Sequence, residues 1–306
     1  MQRIVFALIG LVLVGAIVVT VIDSGKPPPP EHGGWTVDRM SQDQMAKMVA
    51  GPMKLVEKKD LAGAARLFET ELKRARGKGE LYAGDLLDAY GTGLQRADYE
   101  KEAMPYFARA IAAYRKGDPG GPILAQELVG YGLLLDQASP DHPPPEAVAN
   151  VREALVIRER VLGRRNAETA VNYVNLGSVQ GAPAITGRDP ARVAAAAKLI
   201  RTGIQLLPAT PNARDHDLPD ARLSLVELYA RNGDVDGTFK AASEFMAANP
   251  SYGPYQLRRV AVIFETAGDM VTGRRLRDVY AIPDEEDDDE AEDSAKTAKA
   301  PTHVSQ

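Results

Sequence analysis

Residues 221–250 read ARLSLVELYARNGDVDGTFKAASEFMAANP. Leu225 and Tyr229, at i and i+4, share one face of a helix. Gly233 suits the end of that helix, and Asp234 suits the turn or cap that opens the next. Pro250 breaks the second helix at its end. The stretch therefore predicts two antiparallel helices joined by a tight turn. The pattern returns at Val260, Phe264 and Gly268-Asp269, one residue longer than a period of about 34 residues. Repetition at that period predicts an all-α chain in which antiparallel helix pairs stack as a solenoid. No stretch after residue 44 sustains period-two alternation rich in β-branched residues, so no sheet is expected.

Working outward, Tyr173, Leu176 and Gly177 fit a first helix, and Ala196, Ile200, Gly203 and Pro208 its partner. Leu87, Gly91 and Leu94, followed by Ala103, Phe107 and Ala110, make another pair. Ala64 and Phe68 mark a weaker first unit with Lys59-Asp60 at its turn. Small residues such as Ala103, Ala110 and Gly177 suit close helix crossings, and Phe107 and Tyr229 fill the gaps between them. This order of residues resembles the tetratricopeptide repeat family. Residues 153–163 (EALVIRERVLG) are similar to the second helix of kinesin-light-chain-type repeats, a subclass also common in bacteria. The resemblance covers residues 45–282. It departs from the family at Gly51-Pro52, expected to interrupt the first helix, and at 136–145 and 181–190, which lengthen turns that are normally short.

At the N-terminus, Arg3 precedes a 19-residue uncharged apolar run over residues 4–22. That is close to the ~20 residues a helix needs to cross a bilayer, and no good small-x-small cleavage site follows. Residues 1–23 therefore read as an uncleaved signal anchor, a transmembrane helix through the lipid bilayer; the alternative is a cleaved signal and a soluble, secreted or periplasmic product. Arg3 favours a cytoplasmic N-terminus, which places the remainder outside the cytoplasm. In a bacterium this is a single-pass inner-membrane protein with periplasmic repeats. Residues 24–44, with Pro27 to Pro30 and Gly33-Gly34, read as an extended linker.

The net charge of −5 conceals an asymmetry. The carboxylates of residues 284–293, less Lys296 and Lys299, give residues 283–306 a charge of −7 and leave the remainder at +2. Such a tail has almost nothing apolar to bury and is expected to be disordered. A near-neutral body with an acidic tail argues against nucleic acid as a partner. With no cysteine, disulfides, thiolate metal sites and a cysteine nucleophile are excluded.

Nothing in the sequence points to catalysis, a metal or a cofactor. His32, His142, His216 and His303 have no helical i, i+4 partner and read as solvated loop residues. Gly91-Thr92-Gly93 lies inside a helical pattern and lacks the strand that a phosphate loop requires. Basic groups at Lys73/Arg74/Arg76/Lys78, Arg158/Arg160/Arg164/Arg165 and Arg274/Arg275/Arg277 sit near second-helix ends, where positive charge is favourable. Docking of anionic lipid or of the acidic tail is their alternative role.

The family resemblance implies a groove lined by the first helix of each unit. By position it takes in Asp85, Asp88, Thr92 and Arg96, then Asn175 and Ser178, then Asp220, Ser224, Glu227 and Arg231. Asn175 falls where the family often grips a ligand backbone. The set lacks the Lys/Asn cluster of units that clamp a terminal carboxylate. The expected function is a non-catalytic, membrane-tethered scaffold or assembly factor that binds a protein segment. A self-assembling homo-oligomer of structural role is the alternative. A glycan-binding or enzyme-associated subunit ranks lower, because Trp35 is the only tryptophan and lies in the linker.

Overall fold

The computed structural model describes residues 39–139, 143–182, 189–210, 212–250 and 253–282. Among them are twelve α-helices and no strand. They are α1 (Gln42–Glu57), α2 (Leu61–Arg76), α3 (Glu80–Arg96), α4 (Glu100–Gly117), α5 (Pro122–Ala138), α6 (Pro145–Val161), α7 (Ala167–Gln180), α8 (Pro190–Leu206), α9 (Asp217–Arg231), α10 (Val235–Ala248), α11 (Gly253–Thr266) and α12 (Met270–Tyr280). Each odd-numbered helix packs chiefly on the helix that follows it, giving six pairs. None of these helices is long and apolar enough to cross a membrane. The anchor expected over residues 4–22 and the tail from residue 283 lie outside the described residues.

One turn builds four of the six pairs. The residue before the second helix's first cap position takes a left-handed backbone: Lys59 (φ 61), Asp98 (φ 64), Gly233 (φ 62) and Gly268 (φ 86). The next N–H then reaches back to a carbonyl in the last turn of the preceding helix. The four bonds are Asp60 to Leu55, Tyr99 to Leu94, Asp234 to Tyr229 and Asp269 to Phe264, each at 2.9 Å. These bonds satisfy carbonyls that a helix end otherwise leaves open. Asp60, Asp234 and Asp269 also accept from the backbone N–H of Gly63, Gly237 and Thr272, capping the second helix. The Gly-Asp dipeptides legible in the sequence are thus one instance of a turn that Lys59-Asp60 and Asp98-Tyr99 also make.

The chain divides into two compact units at the Arg164–Arg165 bond. In the first, α3 packs on α1, α2 and α4, and α4 on α5. Its core is aromatic: Phe68 stacks on Tyr90 with centroids 4.1 Å apart, and Tyr106 meets both rings edge-on. Ala103 and Ala110 are fully buried, as their place at a helix crossing requires. In the second unit, α9 packs on α7, α8, α10 and α11. The α7–α8 crossing is close: a Cβ on Gly177 would lie 2.7 Å from the Ala196 carbonyl, and one on Gly203 2.6 Å from that of Ala170.

Two expectations are corrected. Gly51-Pro52 does not interrupt the first helix, because α1 runs through both residues. A proline inside a helix forfeits one i→i−4 bond, and here Pro52 is buried against the unit instead of ending the helix. The linker assigned to residues 24–44 is folded from Arg39 onward. Met40 is buried, Ser41 caps α1 through a capping box with Gln44, and α1 starts at Gln42.

Candidate functional site

In the first unit the face of α3 carries Asp85, Asp88, Thr92 and Arg96. They occupy very different environments. Asp85 has a side chain with no exposure at all. It accepts from the Arg39 guanidinium, from the Met40 backbone N–H at 3.0 Å and from the Tyr114 hydroxyl at 3.0 Å. Gly84 makes room for this arrangement, since a Cβ there would lie 2.7 Å from the Tyr114 ring. Asp85 is therefore no open groove residue. It anchors the segment entering α1 onto α3 and α4. Its hydrogen bond and charge keep Arg39 cationic although burial opposes that charge. Burial, with the nearby carboxylates, pushes the Tyr114 hydroxyl far up.

Asp88 of α3 and Glu127 of α5 are both half-buried and act on each other electrostatically. Burial raises both, and the Asp88 charge adds to the rise of Glu127. Asp85 raises both further, whereas Arg39 lowers both and Arg96 lowers Asp88. Thr92 is half-buried and Arg96 exposed.

In the second unit Asn175 and Ser178 are half-buried on α7. Asp220, Ser224, Glu227 and Arg231 follow one another along α9. Ser224 donates to the Asp220 carbonyl of its own helix at 2.9 Å, which uses its only proton. Glu227 pairs with Arg259 of α11, tying consecutive first helices together. Asp220 is exposed as a residue, yet desolvation of its carboxyl raises it against the opposing charges of His216 and Arg259. At the far end of α9, Asn232 donates to the Gly181 carbonyl at 2.8 Å. Ser224 and Glu227 are thus committed to bonds within the unit.

Four residues that shape these faces were not singled out in the sequence: Arg39, Tyr114, Glu127 and Arg259. Arg259 was within reach, because it follows Ser224 by the same offset that separates Val260 from Leu225. Glu127 was not, because α5 ends in the long turn over 136–145 and carries no Gly-Asp punctuation to set its register.

No catalytic arrangement emerges among the described residues. No group of three or more His, Cys, Asp or Glu is placed to hold a metal. His216 is exposed, with Nε2 3.9 Å from Asp217. A depression of about 150 Å³ lies in the second unit among Arg201, Gln205, Arg222, Leu225 and Glu244. It is well below the roughly 300–1,000 Å³ of small-molecule pockets. Several residues of the basic groups have structural work. Arg74 pairs with Glu71, Arg160 donates to the Gly120 carbonyl, Arg275 lies over the Phe239 ring, and Arg277 bonds Glu265 through two nitrogens. No family model matches the chain, and no curated protein matches it.

Proposed function

We propose that this chain is a non-catalytic scaffold of tetratricopeptide type that holds a protein segment against the first helices of its pairs. The observation that carries this reading is the ladder of first helices in the second unit. There α9 packs on both α7 and α11, and Glu227 and Arg259 bridge the last two. These packed first helices carry Asn175, Ser178, Asp220 and Arg231, each partly or largely exposed. Fixed hydrogen-bonding groups of both charges suit the backbone and mixed side chains of a peptide better than a substrate undergoing chemistry. The four-fold recurrence of one turn supports the repeat assignment, because a repeated turn sets a repeated angle between helices.

The reading places the repeats outside the cytoplasm, on the periplasmic side of a bacterial inner membrane, tethered by residues 4–22. It rests on the length of the apolar run and on Arg3. Homo-oligomerisation is the second reading, favoured by Val271 and Val279, 79% and 57% exposed on the last helix.

Photo-crosslinking in native membranes tests the main reading. A crosslinker at Ser178 or Ser224, on first helices, should capture a partner that one at Lys240, exposed on α10, does not. Equal yields from all three positions, or capture of this chain alone, would defeat it. The second outcome would favour self-assembly.

A further inference from the structure

We propose that the depression lined by α8, α9 and α10 is a carboxylate-binding site, and that the acidic stretch 284–293 of this same chain is its occupant. Both second helices, α8 and α10, pack on α9, and all three contribute to the lining. Arg201 and Gln205, at i and i+4 on one face, come from α8, Arg222 from α9 and Glu244 from α10. Leu225 and Ala241, both buried, make the floor apolar. Two guanidiniums therefore meet one carboxylate over an apolar floor. Arg201 donates to the Tyr229 hydroxyl at 2.9 Å, which fixes the side chain and leaves its charge uncompensated. Among the described residues no carboxylate pairs with Arg222.

The chemistry of the lining selects the ligand. A volume of about 150 Å³ admits a side-chain carboxylate with its stem and not a metabolite. Guanidinium groups match a carboxylate in shape and bond it through two nitrogens. The apolar floor lowers the local dielectric and strengthens that attraction. A lone exposed charge such as Arg274 offers a carboxylate little by comparison.

The occupant follows from where the chain leaves the last helix. The Tyr280 hydroxyl donates to the Phe239 carbonyl at 3.0 Å and lies 2.9 Å from Ser243 Oγ, so the end of α12 rests on α10 beside Glu244. Only α10 separates that point from the depression, and a helix with its side chains is about 10–12 Å across. Residues 284–293 follow Ile282 by two to eleven positions, a reach of roughly 7–36 Å. They carry nine carboxylates and no cation. Reach and charge both fit, and an acidic segment from elsewhere would have to displace a tail that is already at hand.

Binding of a labelled peptide of residues 283–294 to the full chain in detergent micelles tests this. In an amide-tail variant, every carboxylate of 284–293 is replaced by its amide, and the site should take the peptide. The wild-type chain should bind it about tenfold more weakly, because a tethered tail at an effective ~1 mM competes with a peptide whose Kd is about 0.1 mM. Placed in the amide-tail chain, Arg201→Gln or Arg222→Gln should weaken the peptide about tenfold, by loss of a charge-assisted bond. Glu244→Gln should tighten it, a gain that misfolding cannot imitate. Arg274→Gln should change it less than about twofold. No peptide binding to the amide-tail chain, equal binding to that chain and to wild type, or a loss at Arg274→Gln matching that at Arg222→Gln would each overturn the proposal. None of these outcomes depends on whether the first helices hold a partner segment.

Discussion

Removing the Asp85 carboxylate should release the segment that enters α1 and destabilise the first unit by about 3 kcal/mol. Asp85→Ala deletes the acceptor for three donors at once. Tyr114 is 1% exposed and stays buried with its hydroxyl unpaired, at a cost of roughly 1–3 kcal/mol. Breaking a buried ion pair costs about 3–5 kcal/mol when the surviving charge is trapped. Here the survivor is not trapped, because the Arg39 side chain is 35% exposed and can swing into water. The expected cost therefore falls at the lower end of that range. Urea titration of the full chain in micelles, followed by helical circular dichroism, measures it. The earlier transition is the relevant one if the two units unfold separately. Trypsin gives the local readout, since the Arg39–Met40 bond should become cleavable once Met40 is no longer buried. Asp85→Asn, which keeps an acceptor oxygen, should lie between wild type and Asp85→Ala. A loss below about 1 kcal/mol, with Arg39 still resistant to trypsin, would refute the assignment of Asp85 as the anchor.

Three further outcomes are expected. Ala103→Phe should overpack the α3–α4 crossing and cost about 1–3 kcal/mol by the same titration, whereas Arg115→Ala should cost at most about 1 kcal/mol because its Glu153 partner is exposed. Lys59→Gly should stabilise the first pair by about 1 kcal/mol and Gly233→Ala should destabilise the fifth by about 1–2 kcal/mol, both through the left-handed turn position, as read in thermal melts. Intact-mass measurement of membrane-extracted chain should find residues 1–23 still attached, and protease added to the periplasmic side should digest the repeats; loss of about the first 25 residues would remove the anchor.

What the sequence revealed and what it concealed divide along a physical line. Helix pairing was legible because its signals are local: Gly-Asp punctuation, small residues at crossings, and large apolar residues one turn apart. Those signals located both helices of the pairs around Gly177, Gly91 and Gly233, and the first-pair turn at Lys59-Asp60. Where the local signal was a breaker, it misled. Pro52 reads as an interruption, yet α1 passes through it. Tertiary burial of that face offsets the missing hydrogen bond, and a propensity argument cannot include it.

The candidate site shows the same division more sharply. The family resemblance put Asp85, Asp88, Thr92 and Arg96 on a first helix, and α3 carries all four, but position on a helix says nothing of what covers each one. Asp85 is closed off by Arg39, 46 positions before it, and by Tyr114, 29 after it. The Asp88 charge acts on Glu127 of another helix and raises it. Each of these partners lies outside the helix whose periodicity was read, and an ion pair or charge interaction between helices leaves no periodic trace. Two carboxylates one turn apart therefore look equivalent in the sequence and are opposite in the fold. One is a buried anchor that accepts from three donors, and the other is raised by burial. A polar stripe on a repeat helix identifies a face. Only the cross-helix partners decide which of its residues can meet a ligand, and on α3 they commit Asp85 to Arg39, Met40 and Tyr114 while Arg96 stays exposed.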